Sequence, residues 1–160
     1  MRIDWKRSVL VVAAFAIGIA GGITYAKGKA EYVLVPAGGA KFVPLDPKIP
    51  FGGVEIAVLS GDPKAGPAAF ELKLPKGRPA PVHWHSSDYY LWTVDGNIRH
   101  WLPGKEADAK PNPPGTFWFQ PGGVTGAHGD ECLSDSCTVF MYMLGKFDVI
   151  PVADNGGVQK

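Results

Sequence analysis

The chain holds four histidines, His83, His85, His100 and His128. Two of them flank a single residue, Trp84. Neutral imidazole is a good ligand for divalent cations, and two imidazoles reach one ion only if they share a face. Residues two apart share a face on an extended strand. On a helix the same spacing would separate the rings by more than half a turn. Pro79 and Pro81 keep the approach to His83 extended. His83 and His85 are therefore expected to project together, with Trp84 on the opposite face. A histidine pair can equally be a polar rim or a hydrogen-bonded core pair. Two features favour a metal here. The pair runs into Tyr89, Tyr90 and Trp92, so it would line an apolar interior, and His128 follows a glycine-rich turn on a later strand. Antiparallel pairing would bring that third imidazole to the same cavity. His100 lies between Arg99 and Trp101. We read it as a satisfied surface or core histidine, although it lines the interior if Ile98 does.

The elements that must position these side chains are short strands. The 21 glycines and 15 prolines leave little room for long helices. Expected strands are 54–59, 69–74, 89–94, 97–102, 116–119, 137–144 and 146–152. With an edge strand at 32–35 and the strand that carries His128, the count is eight to ten. Residues 69–74 alternate cleanly, with Phe70, Leu72 and Leu74 on one face and Glu71 and Lys73 on the other. Asp95-Gly96, between two aromatic-rich apolar runs, reads as a tight hairpin turn. Residues 103–114 read as a proline-rich loop. There is no convincing helix after residue 30, and the fold class is all-β, a sandwich or barrel.

With 160 residues the chain suits one domain. Net charge is +1, from 16 basic and 15 acidic residues, with no basic patch, so no nucleic-acid partner is expected. Arg2, Lys6 and Arg7 precede an uncharged apolar run from Ser8 to Ala26 that ends in small residues. This is the order of a secretory signal peptide, or of an uncleaved anchor helix. Either way the remainder is exported, to a periplasmic or extracellular location, with membrane contact only through an uncleaved N-terminus. Residues 1–30 are thus a leader with a linker, 31–50 a proline-rich arm, 51–153 the folded domain and 154–160 a flexible tail. Cys132 and Cys137, five positions apart, are expected to form a disulfide in an oxidising compartment. A pair of thiolate ligands is the alternative.

Gly77-x5-His83-x-His85 followed by Gly96, and Gly115-x5-Pro121-x-Gly123 followed by His128, resemble the two motifs of the cupin family. The resemblance covers about residues 52–150. It is nearest to cupins of the ChrR-type anti-sigma factors and to the three-histidine diketone-cleaving and acetophenone-cleaving dioxygenases. It implies a double-stranded β-helix, a jelly-roll barrel, with one divalent metal ion held by His83, His85 and His128. Two positions depart from the family pattern. The glutamate that usually follows the second histidine is replaced by Asp88, Tyr89 and Tyr90, and His128 lies two residues late. Either Asp88 is the fourth ligand, or three histidines leave open positions. Asp130 and Glu131 are candidates to hydrogen-bond the ligands.

Iron, zinc, manganese, nickel and copper all suit such a donor set. The resemblance implies either a metal-dependent, oxygen-using enzyme for a small carbonyl or phenolic compound, or a non-catalytic extracytoplasmic binding or sensor module. In an enzyme, Tyr89 or Tyr90 would be the proton donor. Paired barrels, that is a homodimer, are expected by analogy of fold.

Overall fold

The computed structural model describes residues 32–45, 53–77 and 79–152. The expected leader, residues 46–52 of the arm and its junction, and the tail lie outside the described residues. Among the described residues eleven strands form, β1 (Val43–Pro44), β2 (Glu55–Gly61), β3 (Ala68–Pro75), β4 (Ala80–Trp84), β5 (Tyr89–Asp95), β6 (Ile98–Trp101), β7 (Pro111–Asn112), β8 (Phe117–Gln120), β9 (His128–Cys132), β10 (Ser136–Met143) and β11 (Ile150–Pro151). Two single-turn 3-10 helices, Glu106–Asp108 and Val124–Gly126, sit in the connections. Among the described residues no helix is long and apolar enough to cross a membrane.

The strands assemble into two antiparallel sheets. One has the order β1-β2-β3-β10-β5-β8, the other β11-β4-β9-β6-β7. The apolar alternation of the sequence becomes burial. On β3, Ala68, Phe70 and Leu72 are buried; on β10, Cys137, Val139, Met141 and Met143; on β5, Tyr89, Leu91 and Thr93. In register these rows stack side by side, since Val139 lies opposite Leu72 on one flank and Thr93 on the other. Side chains two apart share a face of the pleat, so the three strands present one continuous apolar wall. Burying a side chain the size of Phe70 contributes about 2–3 kcal/mol.

Four expectations change. Asp95-Gly96 does make a tight turn, with Gly96 at φ 74°. Yet β5 and β6 are not a hairpin, because they belong to different sheets. The turn is a corner that hands the chain from one wall to the other. A β-carbon at Gly96 would lie 2.4 Å from the Ser136 carbonyl oxygen, which leaves only glycine at this crossing. The edge strand is Val43–Pro44, paired with β2, and not Tyr32–Val35, whose side chains are exposed. Within 103–114, Pro111–Asn112 pairs with β6. Of 146–152 only Ile150–Pro151 forms a strand, against β4. Pro44, Pro111 and Pro151 all lie in two-residue strands, where the missing N–H costs little.

Cys132 at the end of β9 and Cys137 at the start of β10 form a disulfide with a Cα–Cα separation of 5.6 Å. It ties the two sheets together at one rim, since β9 and β10 lie in different walls.

Candidate metal centre

Strand β9 runs through the middle of the five-stranded sheet, with β4 on one side and β6 on the other. This placement builds the site. His83 on β4 lies directly opposite His128 on β9, and His100 on β6 lies opposite Asp130 on β9. His128 and Asp130 are two apart on one strand, so they share its inward face. His85 follows β4 and turns inward as well. His83, His85 and His128 are 4%, 3% and 2% exposed. Their ligand nitrogens lie within 4.8 Å of one another. Ring centroids are 5.1 Å apart for His83 and His85 and 4.4 Å for His83 and His128.

Each of the three rings commits the same nitrogen to the backbone. His83 Nδ1 donates to the Pro81 carbonyl at 2.9 Å, His128 Nδ1 donates to the Gly126 carbonyl at 2.8 Å, and His85 Nδ1 donates to the Asp148 carbonyl. A carbonyl only accepts, so Nδ1 carries the proton, and in the neutral ring the lone pair is on Nε2. Such a bond fixes both tautomer and ring orientation for a metal ligand. Burial favours the neutral ring. It lowers His83 below the ordinary histidine value, His85 to about 4 and His128 to about 3, with repulsion among the histidines adding to the effect at each. The charge of Asp130 opposes the shift at all three without reversing it. The three imidazoles are therefore ready for a cation at neutral pH. Three buried nitrogen donors with fixed tautomers fit a divalent ion well.

The loop before β9 is built around Gly126. A β-carbon there would lie 1.8 Å from the Pro121 carbonyl oxygen, so the close approach admits only glycine. The Gly126 carbonyl takes a second bond, from Gln120 Nε2 at 2.6 Å. That bond orients the amide, leaving Gln120 Oε1 to accept from His100 Nε2 at 3.1 Å. His100 Nδ1 meets Asp130 Oδ1 at 2.7 Å. Burial alone would lower the His100 pKa, but the charge of Asp130 and the two hydrogen bonds raise it overall. Burial would raise the carboxyl of Asp130, but the charge and hydrogen bond of His100 hold it well below its ordinary value. Both His100 nitrogens thus face acceptors, Asp130 Oδ1 and Gln120 Oε1, an arrangement that suits the protonated ring beside a carboxylate.

The histidines open onto a cavity of about 310 Å³. Its other walls are mostly apolar, including Leu72, Leu91, Val139, Met141 and Phe147. Tyr89, His100 and Asp130 reach the same cavity. The Tyr89 hydroxyl lies 3.0 Å from His128 Nε2 and donates to it. Burial, then the negative charge of Asp130, raises this phenol well above its ordinary value and keeps it protonated.

Asp88 and Tyr90 do not join this group. Alternation along β5 sends Tyr89, Leu91 and Thr93 inward and Tyr90 and Trp92 outward. Tyr90 accordingly packs on the outer face against Phe117 and Phe119, at 6.1 and 5.3 Å between ring centroids. Asp88 is exposed, and its Oδ1 accepts a hydrogen bond from the Gly122 amide at 2.6 Å. It fastens a turn instead of facing the histidines. Glu131 points away from the cavity and pairs with Arg99. His100 is a hydrogen-bonded interior histidine, as expected, and it faces inward with Ile98, two positions back and buried.

No protein-family model and no curated protein matches the sequence. Solved structures are similar in fold. An RmlC-like cupin protein of Ralstonia eutropha JMP134 superposes with a TM-score of 0.60 at 17% identity, covering 79% of this chain and 76% of that one. An acetylacetone dioxygenase of Acinetobacter johnsonii gives 0.60 at 20% identity, covering 82% and 83%. A polyketide cyclase of Streptomyces resistomycificus gives 0.59 at 16% identity, covering 74% and 84%. At these identities the likeness is one of fold, and the fold is that of the cupins.

Proposed function

We propose, with the cupin fold as premise, that this chain binds one divalent metal ion through His83, His85 and His128 and uses it on a small carbonyl or phenolic compound in an oxygen-dependent reaction. One observation supports the metal reading: three buried imidazoles, from β4, the residue just after it and β9, each with Nδ1 tied to a backbone carbonyl, line one cavity with their ligand atoms close together. The reaction class is supported by the acetylacetone dioxygenase among the similar structures.

When bound, the ion would supply Lewis acidity and, if it is a redox metal, electron transfer to oxygen. The remaining work falls to the chain. The cavity is at the small end of the range for ligand sites and is largely apolar, so it selects compact compounds with one polar end. Its apolar walls exclude bulk water from that end. Tyr89, still protonated at neutral pH, offers a hydrogen-bond donor beside the histidines. His100 and Asp130 are hydrogen-bonded to one another in the cavity wall, so the carboxylate there is partnered.

We further propose that the domain works outside the cytoplasm. The leader-like N-terminus and the Cys132–Cys137 disulfide support this. The decisive experiment is metal analysis of the native exported protein, followed by oxygen uptake by the iron-loaded protein with diketones and phenols. Roughly stoichiometric iron and substrate-dependent uptake are expected. Stable zinc with no uptake across the panel would sink the enzyme reading and leave a metal-dependent binding module.

A further inference from the structure

We infer that Asp130 is the carboxylate ligand of this centre, supplied by the strand of His128 instead of by the segment after His85. The inference rests on the metal reading above and extends its donor set. The position where a glutamate was expected contributes nothing, since Asp88 is turned to the Gly122 amide and Tyr89 is a phenol. Asp130 is the acidic side chain in the cavity wall. Its side chain is 16% exposed, against 2% for that of His128.

The two oxygens of Asp130 have different tasks. Oδ1 is held by His100 Nδ1 at 2.7 Å, and His100 is held in turn by Gln120. Oδ2 faces His128 Nε2 at 3.6 Å. His128 Nδ1 donates to the Gly126 carbonyl and Nε2 accepts from the Tyr89 hydroxyl, so Nε2 and Oδ2 are both acceptors and neither donates to the other. A cation between them suits the geometry. Two donors about 2.1 Å from one ion at tetrahedral angles lie roughly 3.4 Å apart, close to the spacing seen. Two groups have ligand atoms within 4.8 Å of one another, His83, His85 and His128 in one and His100, His128 and Asp130 in the other, so the carboxylate has to close toward His83 and His85 as the ion enters. His128, common to both, is the hinge between the histidine set and the carboxylate. His100 acts here as a positioning residue. It holds one carboxylate oxygen so that the other stays turned to the ion, as carboxylate and histidine partners do around metal ligands generally.

The test uses Co(II) and Zn(II) on the full chain with D130N and D88N. Zinc affinity is read by chelator competition, and the cobalt site by its visible absorption spectrum. D130N is expected to weaken zinc by more than about 100-fold, beyond the range for residues that merely support a ligand, and to change the cobalt spectrum. D88N is expected to keep both within about twofold of the parent. If D130N is weakened but keeps the parent cobalt spectrum, or keeps the parent affinity, the inference is overturned. If D130N does not fold, the infrared difference spectrum of the parent protein on zinc loading decides. A shifted carboxylate stretch supports the inference and its absence overturns it. If the parent protein binds neither ion, the metal reading itself has failed. Binding to the parent without an Asp130 effect removes only the present inference.

Discussion

A buried histidine that must stay neutral behaves differently from one on the surface, and the difference decides what each substitution should do. Replacing His83, His85 or His128 by alanine removes one of three nitrogen donors. Each change is expected to weaken zinc by more than about 100-fold, since even outer partners of ligands are worth 10- to 100-fold. His100→Ala leaves all three donors in place and should cost less. Chelator competition on the four variants orders them, and equal losses would show that His100 ligates directly. Tyr89→Phe makes the opposite prediction. The phenol donates to His128 Nε2, the atom an ion would use. Removing it should cost the metal-free protein about 1 kcal/mol, the usual net value of such a bond. It should leave zinc affinity unchanged or raised, because binding no longer has to break that contact. Urea melts and the same competition assay check both halves.

At the scale of elements, the 3-10 turn before β9 matters most, because one carbonyl in it holds two members of the site. Gly126→Ala would press a methyl against the Pro121 carbonyl and displace the turn. His128 and Gln120 would both lose their common acceptor. We expect a loss of about 3 kcal/mol in urea melts, together with weakened zinc binding. A stable variant with parent affinity would show that the loop has slack. The same elements explain what was legible in the sequence. His83 and His85 could be read because two-residue spacing on a proline-stiffened strand leaves only one outcome, and the apolar alternation of β3 and β10 was equally explicit. Asp95-Gly96 announced a turn but not whether the strands beyond it pair, because turn chemistry is local and sheet membership is not. The phase of β5 was the hardest point. A shift of one residue exchanges Tyr89 for Tyr90, and nothing within the segment fixes that shift. Pairing with β10 fixes it. Asp130 was in view as a neighbour of His128, but its partner His100 lies on β6, and only their opposition across the β6–β9 ladder joins them.

The whole molecule carries the cost of gathering four imidazoles in one interior. In the unfolded chain each histidine titrates near 6.5. In the folded chain His83 is lowered, His85 lies at about 4 and His128 at about 3. Between these values the unfolded state binds protons that the folded state refuses. The stability these three sites contribute is therefore fully present above pH 6.5 and is lost as pH falls toward their folded values. For His85 and His128, whose folded values lie below pH 5, the loss is about 1.4 kcal/mol per pH unit each. His100 has the opposite sign. Its raised value gives stability that is present below pH 6.5 and disappears as pH rises through the folded value. Asp130, held low, stays ionised throughout this window and loses its contribution only under stronger acid. His85 and His128 together lose about 4 kcal/mol between pH 6.5 and pH 5, His83 adds to the loss and His100 opposes it, so stability falls over this range. The measurement is urea unfolding of the chelator-treated protein across that range, with the disulfide intact. That crosslink adds about 2 kcal/mol by restricting the unfolded chain, and reducing it should lower the whole curve without changing its slope. A tenth-saturating addition of zinc is uninformative, but zinc at 100 times its dissociation constant should add about 2.7 kcal/mol at neutral pH. A stability that instead stays level from pH 7 to pH 5 would mean that the histidines accept protons in place, and the closed, neutral cluster described here would be wrong.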